Sequence, residues 1–98
     1  MLNSKQHAWL RSQANTLDPV FQVGKGEIDE TLIQATADCL AARELIKMKV
    51  LETSMYSARE AADALAEATG ADVVQVIGSK FVLFLKKDKD SKFDALPR

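Results

Sequence analysis

Residues 19–28 read Pro19-Val20-Phe21-Gln22-Val23-Gly24-Lys25-Gly26-Glu27-Ile28. A short apolar run, Val20, Phe21 and Val23, stops at Gly24-Lys25-Gly26, and a helix is predicted to start at Asp29. The pattern is a strand, a glycine turn with one lysine, and a helix N-terminus. Such a junction turns backbone N–H groups and the positive end of a helix dipole toward solvent, where an anion can bind. A lone Gly-x-Gly turn is a weak signal, so the surrounding chain must decide its weight.

On the N-terminal side, residues 4–14 read as a helix with Ser4 as N-cap and a stripe of Gln6, Leu10 and Ala14, with Leu17 beyond it. Asp18-Pro19 ends that segment, because the residue before a proline avoids the α region. A strand at 20–23 and a helix at about 30–42 follow. The helix stripe runs through Ile28, Leu32, Ala35 or Thr36, and Cys39. Residues 44–51 switch to period two: Ile46, Met48 and Val50 alternate with Lys47 and Lys49, a strand with one buried face and one wet, basic face. Ser57 and Glu60 form a capping box for a third helix, striped by Ala61, Ala64 or Leu65, and Ala68 and closed by Gly70. Residues 72–77 and 81–86 are strands around a Gly78-Ser79-Lys80 turn. Phe81-Val82-Leu83-Phe84-Leu85 has no polar position, so it is expected to be central or covered on both faces. The order is α-β-α-β-α-β-β, an α/β fold with a mixed four-stranded sheet and three helices. Its two strand-helix-strand units imply parallel neighbouring strands.

Composition narrows the function. The 98 residues suit one domain, spanning 1–98 with a charged C-terminal tail at 87–98, and 47% hydrophobic content suffices for one modest core. One cysteine excludes an internal disulfide and a multi-cysteine metal site, and fits a cytoplasmic location. Cys39 reads as a small buried hydrophobe. The chain has neither an apolar run long enough for a membrane span nor an h-region typical of a signal peptide. Net charge is −1, but unevenly spread: residues 1–26 carry net +2, residues 27–79 net −6 and residues 80–98 net +3. A folded domain with a basic and an acidic face is expected.

Enzyme chemistry has little to work with. The single histidine, His7, has no partner for a catalytic dyad at suggestive spacing and reads as a surface residue. Lys25 lies between the glycines with no Ser or Thr after it, which is not a P-loop. Glu27, Asp29 and Glu30 read as complements to a helix dipole rather than a metal site. No cofactor, metal or small-molecule substrate is indicated. What remains is binding: Gly24 and Gly26 allow close backbone approach, Lys25 adds a point charge, and Lys47, Lys49, Lys5 and Arg11 supply further cations suited to phosphates.

From about Leu2 to Pro97 the sequence resembles the YhbY-like proteins, the bacterial stand-alone form of the CRM (chloroplast RNA splicing and ribosome maturation) domain. The resemblance rests on Lys5-Gln6, Leu10-Arg11-Ser12, Pro19, Phe21-Gln22-Val23-Gly24-Lys25-Gly26, Ala42-Arg43-Glu44-Leu45-Ile46-Lys47, Ala66-Glu67-Ala68-Thr69-Gly70, Val74-Gln75-Val76-Ile77-Gly78 and Leu96-Pro97. It implies an RNA-binding domain and not an enzyme, with a fold similar to the C-terminal domain of translation initiation factor three. It also implies an association with ribosomal RNA in precursors of the large (50S) ribosomal subunit, and a GxxG loop like that of KH domains. The expected RNA-binding residues are Gly24, Lys25, Gly26, Lys5, Arg11 and Lys47. The chain departs from the pattern at Glu27, where the loop's second glycine would stand, and at Phe84-Leu85, where a Tyr-Arg pair is common. A carboxylate at 27 would compete for the loop's amides, and Lys86 and Lys87 are the cations left near the last strand. A second reading is a protein-interaction adaptor on ribosomal particles, using the acidic helical face of Glu60, Asp63 and Glu67.

Overall fold

The last strand organises the rest. In the computed structural model, which describes residues 3–24 and 28–86, the elements are α1 (Ser4–Ala14), β1 (Pro19–Val23), α2 (Glu30–Arg43), β2 (Leu45–Val50), α3 (Ala58–Thr69), β3 (Asp72–Ile77) and β4 (Lys80–Phe84). The four strands form one sheet in the order β1-β2-β4-β3. β4 is therefore interior, with antiparallel partners on both sides, and β1 pairs parallel with β2 at one edge. Its side chains divide between two cores. Phe81 and Leu83 join Ile46, Met48, Val23, Leu40 and Leu65 beneath α2 and α3. Val82 and Phe84 join Leu45, Val74, Leu10 and Ala14 beneath α1. A strand covered on both faces needs no polar position, as its sequence foretold.

The element order and mixed sheet agree with the sequence reading; several details do not. The β1-α2-β2 unit gives parallel neighbours, but β2 and β3 are not adjacent. The β3–β4 hairpin folds back so that β4 enters the slot between them. Its apolar run can be covered on both faces only there. Asn3, not Ser4, caps α1. Its side chain accepts from the Gln6 N–H at 2.8 Å while Gln6 returns a bond to the Asn3 N–H at 3.0 Å, a complete capping box. The buried stripe of α3 is Ala58, Ala61, Ala62, Leu65 and Ala66; Ala64 and Ala68 are exposed. The helix is thus rotated so that its small residues lie flat on the sheet. The hairpin turn is two residues, Gly78-Ser79, with Gly78 at φ 58°, and Lys80 belongs to the strand. Leu85 and Lys86 fall beyond it. The charged tail expected at 87–98 lies outside the described residues.

α2 passes into β2 through one residue. Glu44 is fully buried and holds φ 68°, ψ −45°, a conformation usually left to glycine. Its N–H donates to the Leu40 carbonyl at 2.7 Å, and its own carbonyl accepts the Leu85 N–H at 2.9 Å. One residue thus closes the helix and ties down the end of β4. Buried Thr36 satisfies its hydroxyl within α2, donating to the Leu32 carbonyl at 2.8 Å. Gly70, at φ 78°, closes α3 with its N–H on the Ala66 carbonyl.

Two outcomes test this account. Phe81→Ala should destabilise by about 3–5 kcal/mol in denaturant titration, as for a large aromatic removed from a closed core. Hydrogen bonds from the Ser57 backbone and hydroxyl hold the Glu60 carboxyl below the usual carboxylate range. A lowered folded pKa contributes stability above the unfolded value that fades as pH falls through the folded one. Glu60→Gln should therefore make melting temperature less sensitive to acidification through that range.

Candidate nucleic-acid interface

Strand alternation sorts the charges. Ile46, Met48 and Val50 point toward α2 and α3, so Lys47 and Lys49 take the opposite face, where both are half-buried. β4 has the same phase: Val82 and Phe84 lie on the α1 side, and so does Lys80. The register then places residues in rows across the sheet. One row runs Gln22, Lys49, Lys80, Ile77; the next pairs Lys47 with Val82 and Val82 with Gln75. α1 covers the far part of this face and leaves the first row open, with Gln22, Lys80 and Ile77 all exposed.

Both turns of interest close this same end of the sheet. β1 stops at Val23, whose carbonyl accepts the Leu51 N–H at 3.0 Å, and Gly24 follows. The Val50 N–H donates to the Ser79 carbonyl at 2.7 Å, locking the Gly78-Ser79 turn beside the end of β2. Gly24 is therefore a neighbour of the Lys49–Lys80 row. A β-carbon on Gly24 would meet Leu51 Cδ1 at 3.8 Å, an ordinary contact, and its φ is not positive. The fold does not demand glycine there. Lys25, Gly26 and Glu27 lie outside the described residues.

The helix end beyond the loop is already answered. Asp29 caps α2, its Oδ1 accepting the Leu32 N–H at 2.9 Å, and Glu30 follows in the first turn. An anion approaching that terminus meets these carboxylates first.

The remaining expected residues are spread out. Lys47 lies between two depressions. A shallow one of about 120 Å³ is lined by Asn15, Lys47, Gln75, Ile77, Lys80, Phe81 and Val82 and contains no acid. A larger one of about 720 Å³, at the start of β1, includes Lys47 and Arg43 but also Asp18. Lys5 and Arg11 are exposed on α1. That helix begins over β3, where His7 Nδ1 donates to the Val74 carbonyl at 3.3 Å. Lys5, two residues earlier, thus sits toward the sheet edge opposite β1, three strand spacings or about 14 Å away. The structure brings Gly24 and Lys47 onto one side of the sheet and leaves Lys5 apart. His7, expected at the surface, is half-buried because it spans from α1 to β3. Cys39 is half-buried and packs on the core.

In the sequence Lys49 stands only among the further cations and not among the six expected RNA-binding residues, and Lys80 reads as part of a turn. The signal for both was the β2–β4 pairing, which a single sequence does not display. On the other side of the molecule, Glu60, Asp63 and Glu67 are exposed on α3. Two of them are engaged within the helix: Asp63 Oδ2 accepts from Arg59 Nε at 3.1 Å, and Glu60 accepts the Ser57 N–H at 3.0 Å.

Comparison with known proteins adds a family and several relatives. The model of the CRS1 / YhbY (CRM) domain matches residues 2–84. The chain is 42% identical over 97 residues to the "Probable RNA-binding protein YqeI" of Bacillus subtilis, covering 99% of this chain and all of that one. It is 37% identical over 94 residues to the "Probable RNA-binding protein MJ0652" of Methanocaldococcus jannaschii, covering 94% of this chain and 69% of the relative. The solution structure of the protein SAV1595 from Staphylococcus aureus superposes with a TM-score of 0.76 at 44% identity, covering 99% of this chain and 100% of that one.

The facing lysines provide a stability test. Opposed like charges weaken a strand pair, and opposite charges strengthen it by roughly 0.2–1 kcal/mol. Lys80→Glu should raise stability by that order at low salt, with the gain shrinking at high salt; an unchanged or lowered stability would show that Lys49 and Lys80 do not interact.

Proposed function

The chain belongs to the CRS1 / YhbY (CRM) domain family, and on that premise we propose that it is an RNA-binding protein. Its target is ribosomal RNA during assembly of the large subunit, and its action is binding without catalysis, in the cytoplasm and without a cofactor. Residues 1–98 act as one RNA-binding domain. The observation that carries the reading is the match of the CRS1 / YhbY (CRM) domain model to residues 2–84, with Lys47 lining an acid-free depression on the open sheet face. Two relatives whose names describe RNA binding support it. The ribosomal destination rests on the resemblance set out above.

In this reading Gly24 and Gly26 let the RNA backbone approach the main chain, Lys25 and Lys47 contact phosphates, and Arg11 and Lys5 extend the positive field along α1. The fit of a methyl group at Gly24 sharpens its role. If glycine is unnecessary for folding there, its use is to keep the approach clear for something outside the chain. The adaptor reading is weaker, because Glu60 and Asp63 already have partners in α3.

Binding to large-subunit RNA across a salt series tests the proposal. Lys25→Ala should weaken binding and lower the salt slope by roughly one unit. Gly24→Ala should leave stability unchanged or raise it by up to about 1 kcal/mol while weakening binding. Partners that survive nuclease digestion in pull-downs, with RNA affinity untouched in both variants, would favour the adaptor.

A further inference from the structure

Three lysines converge on the part of the sheet that α1 leaves open. Lys49 faces Lys80 directly across β2 and β4, and Lys47 lies two residues along β2 on the same face. Directly opposed side chains begin about 5 Å apart, a separation at which like charges destabilise a sheet. Among the described residues none of these three lysines has a carboxylate partner. Apart from Lys47 and Lys80, the residues lining the depression between them carry no charge. Asn15 at the end of α1 and Gln75 on β3 flank the shallow depression beside Lys47 and Lys80. Ile77, 61% exposed, ends the row.

We infer that this row extends the contact surface from the glycine turn across the sheet through Lys49 and Lys80, and that it takes a single-stranded RNA segment. The inference rests on the RNA-binding reading above and specifies the form of RNA. Facing lysines without acids favour an anionic occupant, which relieves their mutual repulsion. Their spacing along and across the strands suits repeated charges rather than one ion. The depression of about 120 Å³ is too small to enclose a nucleotide, so the strand lies across the surface. Its phosphates meet Lys49, Lys80 and Lys47. The amides of Asn15 and Gln75 reach base edges, and Ile77 offers an apolar seat for a base. α1 borders the strip on one side, which favours a narrow single strand over a duplex. The strip ends next to Gly24, so one RNA strand can run from the turn onto the sheet.

The test uses fluorescence anisotropy with the full chain and two probes. One is a labelled single-stranded oligouridylate of about 12 nucleotides; the other is an RNA duplex of about 16 base pairs. The wild type should prefer the single strand. The double variant Lys49→Ala/Lys80→Ala should lose about ten- to thirty-fold in affinity near 0.1 M salt, and its salt slope should fall by roughly 1.4, two lysines at 0.7 each. Its melting temperature should be unchanged or higher, since the repulsion is gone. The more conservative pair Lys49→Gln/Lys80→Gln, uncharged but still polar, should behave alike, which guards against a misfolded alanine variant. Wild-type affinity and slope in both double variants, with Lys25→Ala still defective, would overturn the strip and leave the RNA-binding reading standing. A preference for the duplex, lost in the double variants, would overturn the single-strand assignment. Absence of binding by the wild type to either probe and to large-subunit RNA would overturn the reading itself, and the strip with it.

Discussion

The interior position of β4 is the constraint on which the rest depends. Its backbone pairs with β2 on one side and β3 on the other, while Phe81 and Leu83 seal one core and Val82 and Phe84 the other. No other strand contributes so evenly to both faces. Helices must therefore cover both, and the chain supplies α2 and α3 beneath and a single α1 above. One helix cannot cover a four-stranded face. The uncovered remainder falls where β4 begins, at Lys80, and that is why a strand with a wholly apolar interior opens on a charged residue.

A second constraint sets which way the lysines point. Side chains alternate along a strand, so a shift of one residue in β2 would turn Lys47 and Lys49 into the core and Met48 out of it. The one-residue join at Glu44 leaves no slack for that shift. α2 ends, the backbone takes a positive φ, and Leu45 begins the strand. A non-glycine residue held there costs about 1–3 kcal/mol and persists only where its surroundings impose it. Here the imposing bonds run to Leu40 and Leu85. The strain is local, and what it secures is the phase of the strand that carries the basic face.

The fold was legible because its signals were local. Period-two alternation in β2, the capping box at Ser57 and Glu60, and the unbroken apolar run of β4 each define an element without reference to the others. The spatial order was not legible, since strand-helix-strand units suggest parallel neighbours and nothing local says that a hairpin will return between them. The same gap explains the site. Gly24 and Lys47 could be singled out within their own segments, but the facing of Lys49 and Lys80 exists only in the β2–β4 register. The buried stripe of α3 was legible at Ala61 and Leu65 but not at Ala58, Ala62 and Ala66, because in a helix with many alanines size does not mark which ones are buried.

Magnitudes then decide where an anion goes. The end of a helix presents the equivalent of about half a positive charge, effective only within the first turn. At α2 that half charge is met by two carboxylates, Asp29 and Glu30, one of them bonded to the Leu32 N–H. The balance at the helix end is negative. On the open sheet face Lys47 and Lys80 line a depression that holds no acid, and Lys49 faces Lys80 beside it. In the proposed reading, therefore, a phosphate near Gly24 is held by the lysines of the neighbouring strands, and the α2 terminus contributes little charge to it. On that reading the electrostatic preference at this end of the molecule runs away from Asp29 and toward the lysines of β2 and β4.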